Sequence, residues 1–303
     1  MLRPFAIVPC LVIVAVASLA PAQTQPQDLG SAPTPAAIVT FHGEVNAFTQ
    51  DVFIRQFNQA RALGAKTVVI DLDTYGGGVK SALELSHFLK QQSDLRTIAY
   101  VNNKAYSAGS MIAIACNEII MAPAAAIGDC APISIGSGGL QPLPPAERAK
   151  TESPILADFQ DSADRNGYDP LLVQSMVSVN RAVYWIEKDG QRRFVGPNDY
   201  EQLTKAGWEP VEGVPNPVDG PDTLLTAYTD LAIKLGLAKG SASTIDDLLR
   251  QRNLTAIATF KPGVGSDIVG FLNNDLVRGA LLIIFLTSLY AALHAPGHGF
   301  PEA

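Results

Sequence analysis

Ser107 stands in the run Lys104-Ala-Tyr-Ser-Ala-Gly-Ser-Met-Ile-Ala-Ile-Ala-Cys116, between a β-type stretch and a short apolar helix. A serine at such a junction sits at a helix N-terminus, where unsatisfied backbone N–H groups and the helix dipole favour negative charge. An attacking alkoxide or a developing oxyanion is stabilised there. The same run also reads as an ordinary N-cap serine followed by small residues for close packing. A nucleophilic serine needs a base, usually histidine. The chain places His42 at a strand end, His87 in a helix, and His294 and His298 near the C-terminus. Pro296 and Gly297 oppose the helix that chelation by His294 and His298 would need, so no metal site is expected.

The other available base is a neutral lysine, which works only where burial and the exclusion of carboxylates lower its pKa. Lys104 is near in sequence but follows Asn102-Asn103, a polar turn that favours a solvated, protonated side chain. Lys150 opens a helix just beyond a flexible loop, and its stem can reach back over the site. Either residue is equally at home on a solvated surface. Glycines 76, 77 and 78 follow a buried strand and can present backbone N–H groups in conformations that other residues resist. That suits an oxyanion hole, and it also suits a plain strand-to-helix turn. The spacing is not that of a nucleotide-binding loop, and no cofactor is expected. Asp71 and Asp73 share a strand face and read as turn makers at the strand end.

The elements that must position these residues alternate. Ala37–Phe41, Lys66–Asp73, Thr97–Val101 and Glu118–Met121 read as strands, and Thr49–Leu63, Val79–Gln91 and Ala108–Cys116 as helices. Strands separated by helices of about a dozen residues predict right-handed βαβ crossovers and a largely parallel sheet. Ala122–Asp129 and Gly136–Pro145 read as loops. Lys150–Arg165 reads as a helix interrupted near Pro154, and Asp169-Pro170 as the cap of another. From Val183 the pattern changes: Lys188-Asp-Gly-Gln191 between two β-runs signals a hairpin, and residues 183–222 read as an insertion or excursion. Thr223–Leu237 and Thr244–Gln251 return to helical spacing.

At 303 residues with a formal charge of −7 and no basic cluster, the chain carries no footprint for nucleic acid. Residues 1–22 have the charged start, apolar run and Ala20-Pro21-Ala22 site of a signal peptide, and residues 23–36 form a polar leader. A main domain over 37–255 then leads through a linker, 256–275, to an apolar segment, 276–295, long enough to span a membrane. This layout predicts a domain on the extracytoplasmic side. Cys116 and Cys130 read as two separate core thiols.

Asp73-Thr-Tyr-Gly-Gly-Gly-Val79, Tyr106-Ser-Ala-Gly-Ser-Met-Ile112 and Met121-Ala-Pro-Ala-Ala-Ala-Ile-Gly128, in that order, resemble the Clp-protease/crotonase superfamily. The nearest likeness is to NfeD-type membrane-bound serine proteases, related to signal peptide peptidase A. The resemblance covers roughly residues 37–180. It implies an α/β fold of stacked βαβ units followed by a C-terminal transmembrane helix. It implies that Ser107 is the nucleophile and Lys150 the general base. Gly77 and Ala108 would donate the oxyanion N–H groups, and Gly76 and Gly78 would meet the substrate. It further implies a homo-oligomer that cleaves hydrophobic segments of membrane-associated proteins, a stomatin-like protein among them, without a cofactor. Tyr75 stands where the family usually has proline, and Tyr106 where it often has a smaller residue. A catalytically inactive crotonase-like scaffold for membrane partners is the alternative. Acyl-CoA chemistry on the same fold ranks below both, because an exported protein rarely meets coenzyme A.

Overall fold

Strand β2 (Thr67–Thr74) is buried at every position except Asp73, as expected of a strand covered on both faces. The computed structural model describes residues 32–136, 139–141, 143–263, 269, 272 and 275–294. Around β2 the chain builds a sheet in which β1 (Thr34–His42) and β3 (Arg96–Tyr106) flank it in parallel. Helix α1 (Ala47–Ala62) links β1 to β2, and α2 (Val79–Lys90) links β2 to β3. Helix α3 (Ala108–Ala115) then returns to β4 (Glu118–Met121), and β5 (Ala126–Gly128) also pairs with β3 in parallel. The alternation read from the sequence is therefore the observed α/β architecture.

Local chemistry explains the helices that carry this frame. Asn46 and Thr49 form a reciprocal capping box at the start of α1, and Phe53, Phe57 and Ala60 are the residues it buries. Phe41 meets Phe53 edge-on at 5.5 Å and Phe57 meets Phe88 at 5.1 Å. Each such ring contributes about 1.5–3 kcal/mol by leaving water. Helix α4 (Pro145–Asn166) buries Glu152, Ile155, Phe159, Ser162 and Ala163. It is tied to α2 through Lys90, whose Nζ lies 2.8 Å from Asp158 and 3.1 Å from Asp161. Its last residue reaches α3, with Asn166 Nδ2 donating to the Ile114 carbonyl at 2.9 Å.

Several elements differ from the sequence reading. Strand β1 starts at Thr34, inside the stretch read as leader, because the Thr34 N–H donates to the Asn253 carbonyl and β1 pairs in parallel with β12 (Leu254–Phe260). The sheet thereby also takes residues 256–260, read as linker. Strand β3 runs through Asn102-Asn103 to Tyr106 by a shift in its register with β2, where a turn was expected. Part of the loop read over 122–129 is β5, and part of the loop read over 136–145 pairs as β6 (Ser134–Gly136) with β7 (Gly139–Gln141). Pro154 does not break α4, which continues through it. Only the hydrogen bond to the Lys150 carbonyl is lost, since proline has no N–H. The run read as one helix over 223–237 is split. Its first part is β11 (Thr226–Tyr228), antiparallel to β5, and only Thr229–Lys234 is helical, as α7.

The short helix α5 (Pro170–Gln174) is capped by Asp169, as read. The hairpin of β8 (Tyr184–Lys188) and β9 (Gln191–Val195) turns at Asp189 and Gly190, both at positive φ, as an Asp-Gly hairpin requires. With β10 (Glu209–Pro210) it forms a separate three-stranded sheet, and α6 (Pro197–Lys205) joins them. Helix α8 (Ile245–Gln251) leads into β12. Helix α9 (Asp275–His294) contains Leu276–His294, long and apolar enough to cross a membrane, with none of that span buried. The signal-peptide reading of residues 1–22 and the position of His298 lie outside the described residues.

Candidate active site

Ser107 has φ 54° and ψ −120°, a backbone conformation that costs a non-glycine residue about 1–3 kcal/mol. The surroundings hold it there. Its N–H lies 3.1 Å from the Gly128 carbonyl and 3.0 Å from that of Asp129. Ser110, one turn into α3, clamps the same strand: its hydroxyl lies 2.8 Å from the Ala105 carbonyl and 2.6 Å from that of Gly128, and accepts the Gly128 N–H at 3.0 Å. Ser110 is fully buried and engaged on all sides. Of the two serines, only Ser107 is open to a ligand. The sequence reading did not anticipate the clamping role of Ser110, although a serine three residues after another on a short helix is its signal.

The glycine turn abuts Ser107 directly. A Cβ on Gly76 would lie 2.5 Å from Ser107 Cβ and 2.9 Å from Ser107 Oγ, so only glycine fits. Gly76 donates its own N–H to Thr74 Oγ1 at 2.9 Å, which assigns the buried Thr74 to shaping the turn. Gly77 has φ 155°, and a Cβ there would collide with the Val45 carbonyl. Val45 donates to the Gly76 carbonyl at 2.9 Å and accepts from the Gly78 N–H at 2.8 Å. Backbone groups alternate in direction along an extended segment, so the N–H of Gly77 faces away from Val45. Ala108 opens α3, where no preceding carbonyl within the helix can accept its N–H. Among the described residues neither N–H has a hydrogen-bond acceptor. Gly77, Ser107 and Ala108 line one narrow cleft with Met111, Cys130 and Ile155.

The lysines fall in different surroundings. Lys104 is half-buried, with Nζ 2.9 Å from Asp73 and 4.3 Å from the centroid of the Tyr75 ring. Its hydrogen bond to Asp73 raises its pKa, against the opposing effect of burial. Lys104 is thus a fixed cation. Lys150 lies exposed on α4 with no side-chain hydrogen bond or ion pair among the described residues. Ile155 of the same helix lines the Ser107 cleft. Five residues of helix turn the chain by about 140° beyond a full circle, so Lys150 projects from a different face than Ile155. The described geometry therefore brings Ser107, Gly76, Gly77 and Ala108 together and leaves Lys150 outside the cleft lining; Gly78 is tied to Val45.

Near the glycine turn, His42 and Asp71 pair with one another. His42 Nε2 lies 3.1 Å from Asp71, whose hydrogen bond raises the histidine pKa above 6.5 against the effect of burial. Asp71 also accepts from Asn102 Nδ2 at 3.2 Å. The two aspartates of β2 are thus neutralised by neighbouring strands, not paired with each other. Cys116 and Cys130 are free and buried. Burial pushes the Cys116 thiol up to about 12 and that of Cys130 higher still, so neither competes as a nucleophile. No cluster of three potential metal ligands occurs among the described residues.

Ser107 is thus a strained serine at a helix N-terminus, facing a glycine turn at the ends of parallel strands. The structure of a lysine-to-alanine mutant of the 1510-N membrane-bound stomatin-specific protease, in complex with a substrate peptide, superposes with TM-score 0.57 at 20% identity. The superposition covers 80% of this chain and 98% of that one. The family described as the NfeD1b N-terminal domain matches residues 37–193, and the chain belongs to that family. It is 27% identical to the membrane protein NfeD1b of Bacillus subtilis over 82% of its length and 48% of the relative's. It is 29% identical to the membrane-bound protease PH1510 of Pyrococcus horikoshii over 46% of its length and 32% of the relative's. The chain thus aligns with half or less of the length of these relatives.

Proposed function

We propose that the chain is a membrane-anchored serine endopeptidase in which Ser107 attacks the scissile carbonyl and the N–H groups of Gly77 and Ala108 receive the oxyanion. Lys150 takes the Ser107 proton and passes it to the leaving amine. The carrying observation is the Ser107 junction itself. A non-glycine residue held at positive φ against Gly76, with two acceptor-free N–H groups in the same cleft, is strain concentrated where charge would develop. The elimination of Lys104, locked to Asp73, supports Lys150 as the base, because a lysine beside a carboxylate stays protonated. Gly76 and Gly78 would border the substrate backbone. The relatives' description as membrane proteins and the apolar helix α9 support anchoring, with residues 1–22 as a signal peptide, 23–36 as a leader and the catalytic domain on the extracytoplasmic side. Hydrophobic segments of membrane-associated proteins, including a stomatin-like protein, are the proposed substrates, and a homo-oligomer the proposed assembly.

The exposure of Lys150 favours a second reading, a catalytically inactive scaffold that organises membrane partners. A fluorophosphonate probe separates the two on the full-length protein in detergent. The peptidase reading expects a labelled band that disappears in Ser107→Ala. No labelling in the wild type would leave the scaffold, and labelling that persists in Ser107→Ala would overturn Ser107 as the nucleophile.

A further inference from the structure

Two tyrosines directly precede residues that build the Ser107 site. Tyr75 precedes Gly76, which abuts Ser107, and Tyr106 precedes Ser107 itself. Their centroids are 6.2 Å apart with planes tilted by 40°, within the range of favourable ring pairs. Tyr75 is 77% exposed, which is unusual for so large an apolar surface. Tyr228 joins them from β11. It pairs in register with Ala126, which pairs in turn with Lys104, so Lys104, Tyr106 and Tyr228 project from one face of the sheet. Tyr228 is 61% exposed.

We propose that Tyr75 and Tyr106, with Tyr228 beside them, form a shelf that receives an aromatic or bulky aliphatic side chain of the peptide, within two residues of the bond presented to Ser107. This rests on Ser107 meeting a peptide. An extended peptide advances about 3.3–3.6 Å per residue, so a carbonyl seated between Ser107 and Gly77 carries its near neighbours past these rings. The Lys104 ammonium already covers one face of Tyr75, and Asp73 balances its charge; the opposite face is the one open to the substrate. The adjoining recess is lined by Tyr75 with Glu44, Asp73, His42 and Lys104, so its charges offset one another and the rings supply the apolar surface.

The test measures binding, so that it does not depend on turnover. Fluorescein-labelled peptides that differ at a single position, bearing Phe, Leu or Asp, are titrated by anisotropy against full-length Ser107→Ala protein in detergent. The same titrations are run with Tyr75→Ala or Tyr106→Ala added. The Phe and Leu peptides are expected to bind about tenfold tighter than the Asp peptide. That ratio should fall towards one in both alanine variants and be kept by Tyr75→Phe and Tyr106→Phe, which retain the rings. An unchanged ratio in the alanine variants overturns the shelf. So does a change of oligomeric mass in Tyr75→Ala with the ratio intact, which would make the rings an interface. If fluorophosphonate labelling fails while the ratio behaves as expected, the peptidase reading falls and the shelf stands as a peptide-binding site.

Discussion

Lys104 and Lys150 lie at the edges of the same structural problem and are held in opposite ways. Lys104 lies near the end of β3 beside Asp73, and its ammonium is held by a carboxylate and a tyrosine ring. Lys150 projects from α4 with neither partner among the described residues. A third lysine sharpens the contrast: Lys90 is buried, with its side chain only 4% exposed, yet it lies beside both Asp158 and Asp161. Burial of this lysine comes together with ion pairing. Lys90 and Lys104 are each drawn inward beside an aspartate, in keeping with the desolvation cost of an unpaired ammonium, whereas Lys188 donates to the Ala206 carbonyl. A base would have to come from the lysine without a carboxylate, and it would lose solvent only when a substrate or a neighbouring chain covers it.

The largest effect that could break this contrast is on turnover of a peptide substrate. Lys150→Ala is expected to lower kcat by about 10³-fold, within the range of general-base removal, while Lys104→Ala stays within about tenfold of the wild type. The reverse order would move the base to Lys104 and make its pairing with Asp73 a resting state. A second comparison sets backbone against side chain. Gly77→Ala must displace either the turn or Val45 and is expected to lower kcat by about 10²–10³-fold, the magnitude of losing one oxyanion donor. Wild-type kinetics in Gly77→Ala would remove that N–H from the site.

The smallest effect concerns the neighbouring pair of His42 and Asp71, which shows how the same sheet edge treats a weaker base. The histidine pKa is raised in the folded state by its bond to Asp71. Its contribution to stability is complete below the unfolded value and is lost as pH rises through the folded one. Thermal melts should therefore decline slightly as pH rises above 6.5, and His42→Gln should flatten that decline. The change in Tm should stay under about 2 °C, because the imidazole is substantially exposed. A wild-type melt that is flat over this window, or a decline that survives in His42→Gln, would show that the pair does not couple to folding.

Much of the scaffold was legible because it is written in local periodicity. The buried run at Lys66–Asp73, the amphipathic spacing of α1 and α2, and the Asp-Gly turn of the hairpin each carry their own signal. What escaped was whatever depends on a distant partner. Asn102-Asn103 reads as a turn until β2 supplies Asp71 and Asp73 to its side chains. Thr226–Tyr228 reads as the start of a helix until β5 offers an open edge. The stretch 256–260 reads as a linker until β1 pairs with it. In each case long-range strand pairing overrode local propensity.

The candidate site divides in the same way. Residue type and spacing along the chain determined that a serine opens a helix, that three glycines follow a buried strand, and that no histidine accompanies them. Only the tertiary structure decided that Gly76 presses on Ser107, that the N–H groups of Gly77 and Ala108 in one cleft find no acceptor among the described residues, and that Tyr75 and Tyr106 pair. It also decided that Lys104, the lysine nearest in sequence, is a bound cation. The physical reason is that a side chain's charge state and a backbone group's hydrogen-bond partner are set by neighbours in space, and residues 45, 73, 107 and 128 become neighbours only when the sheet closes.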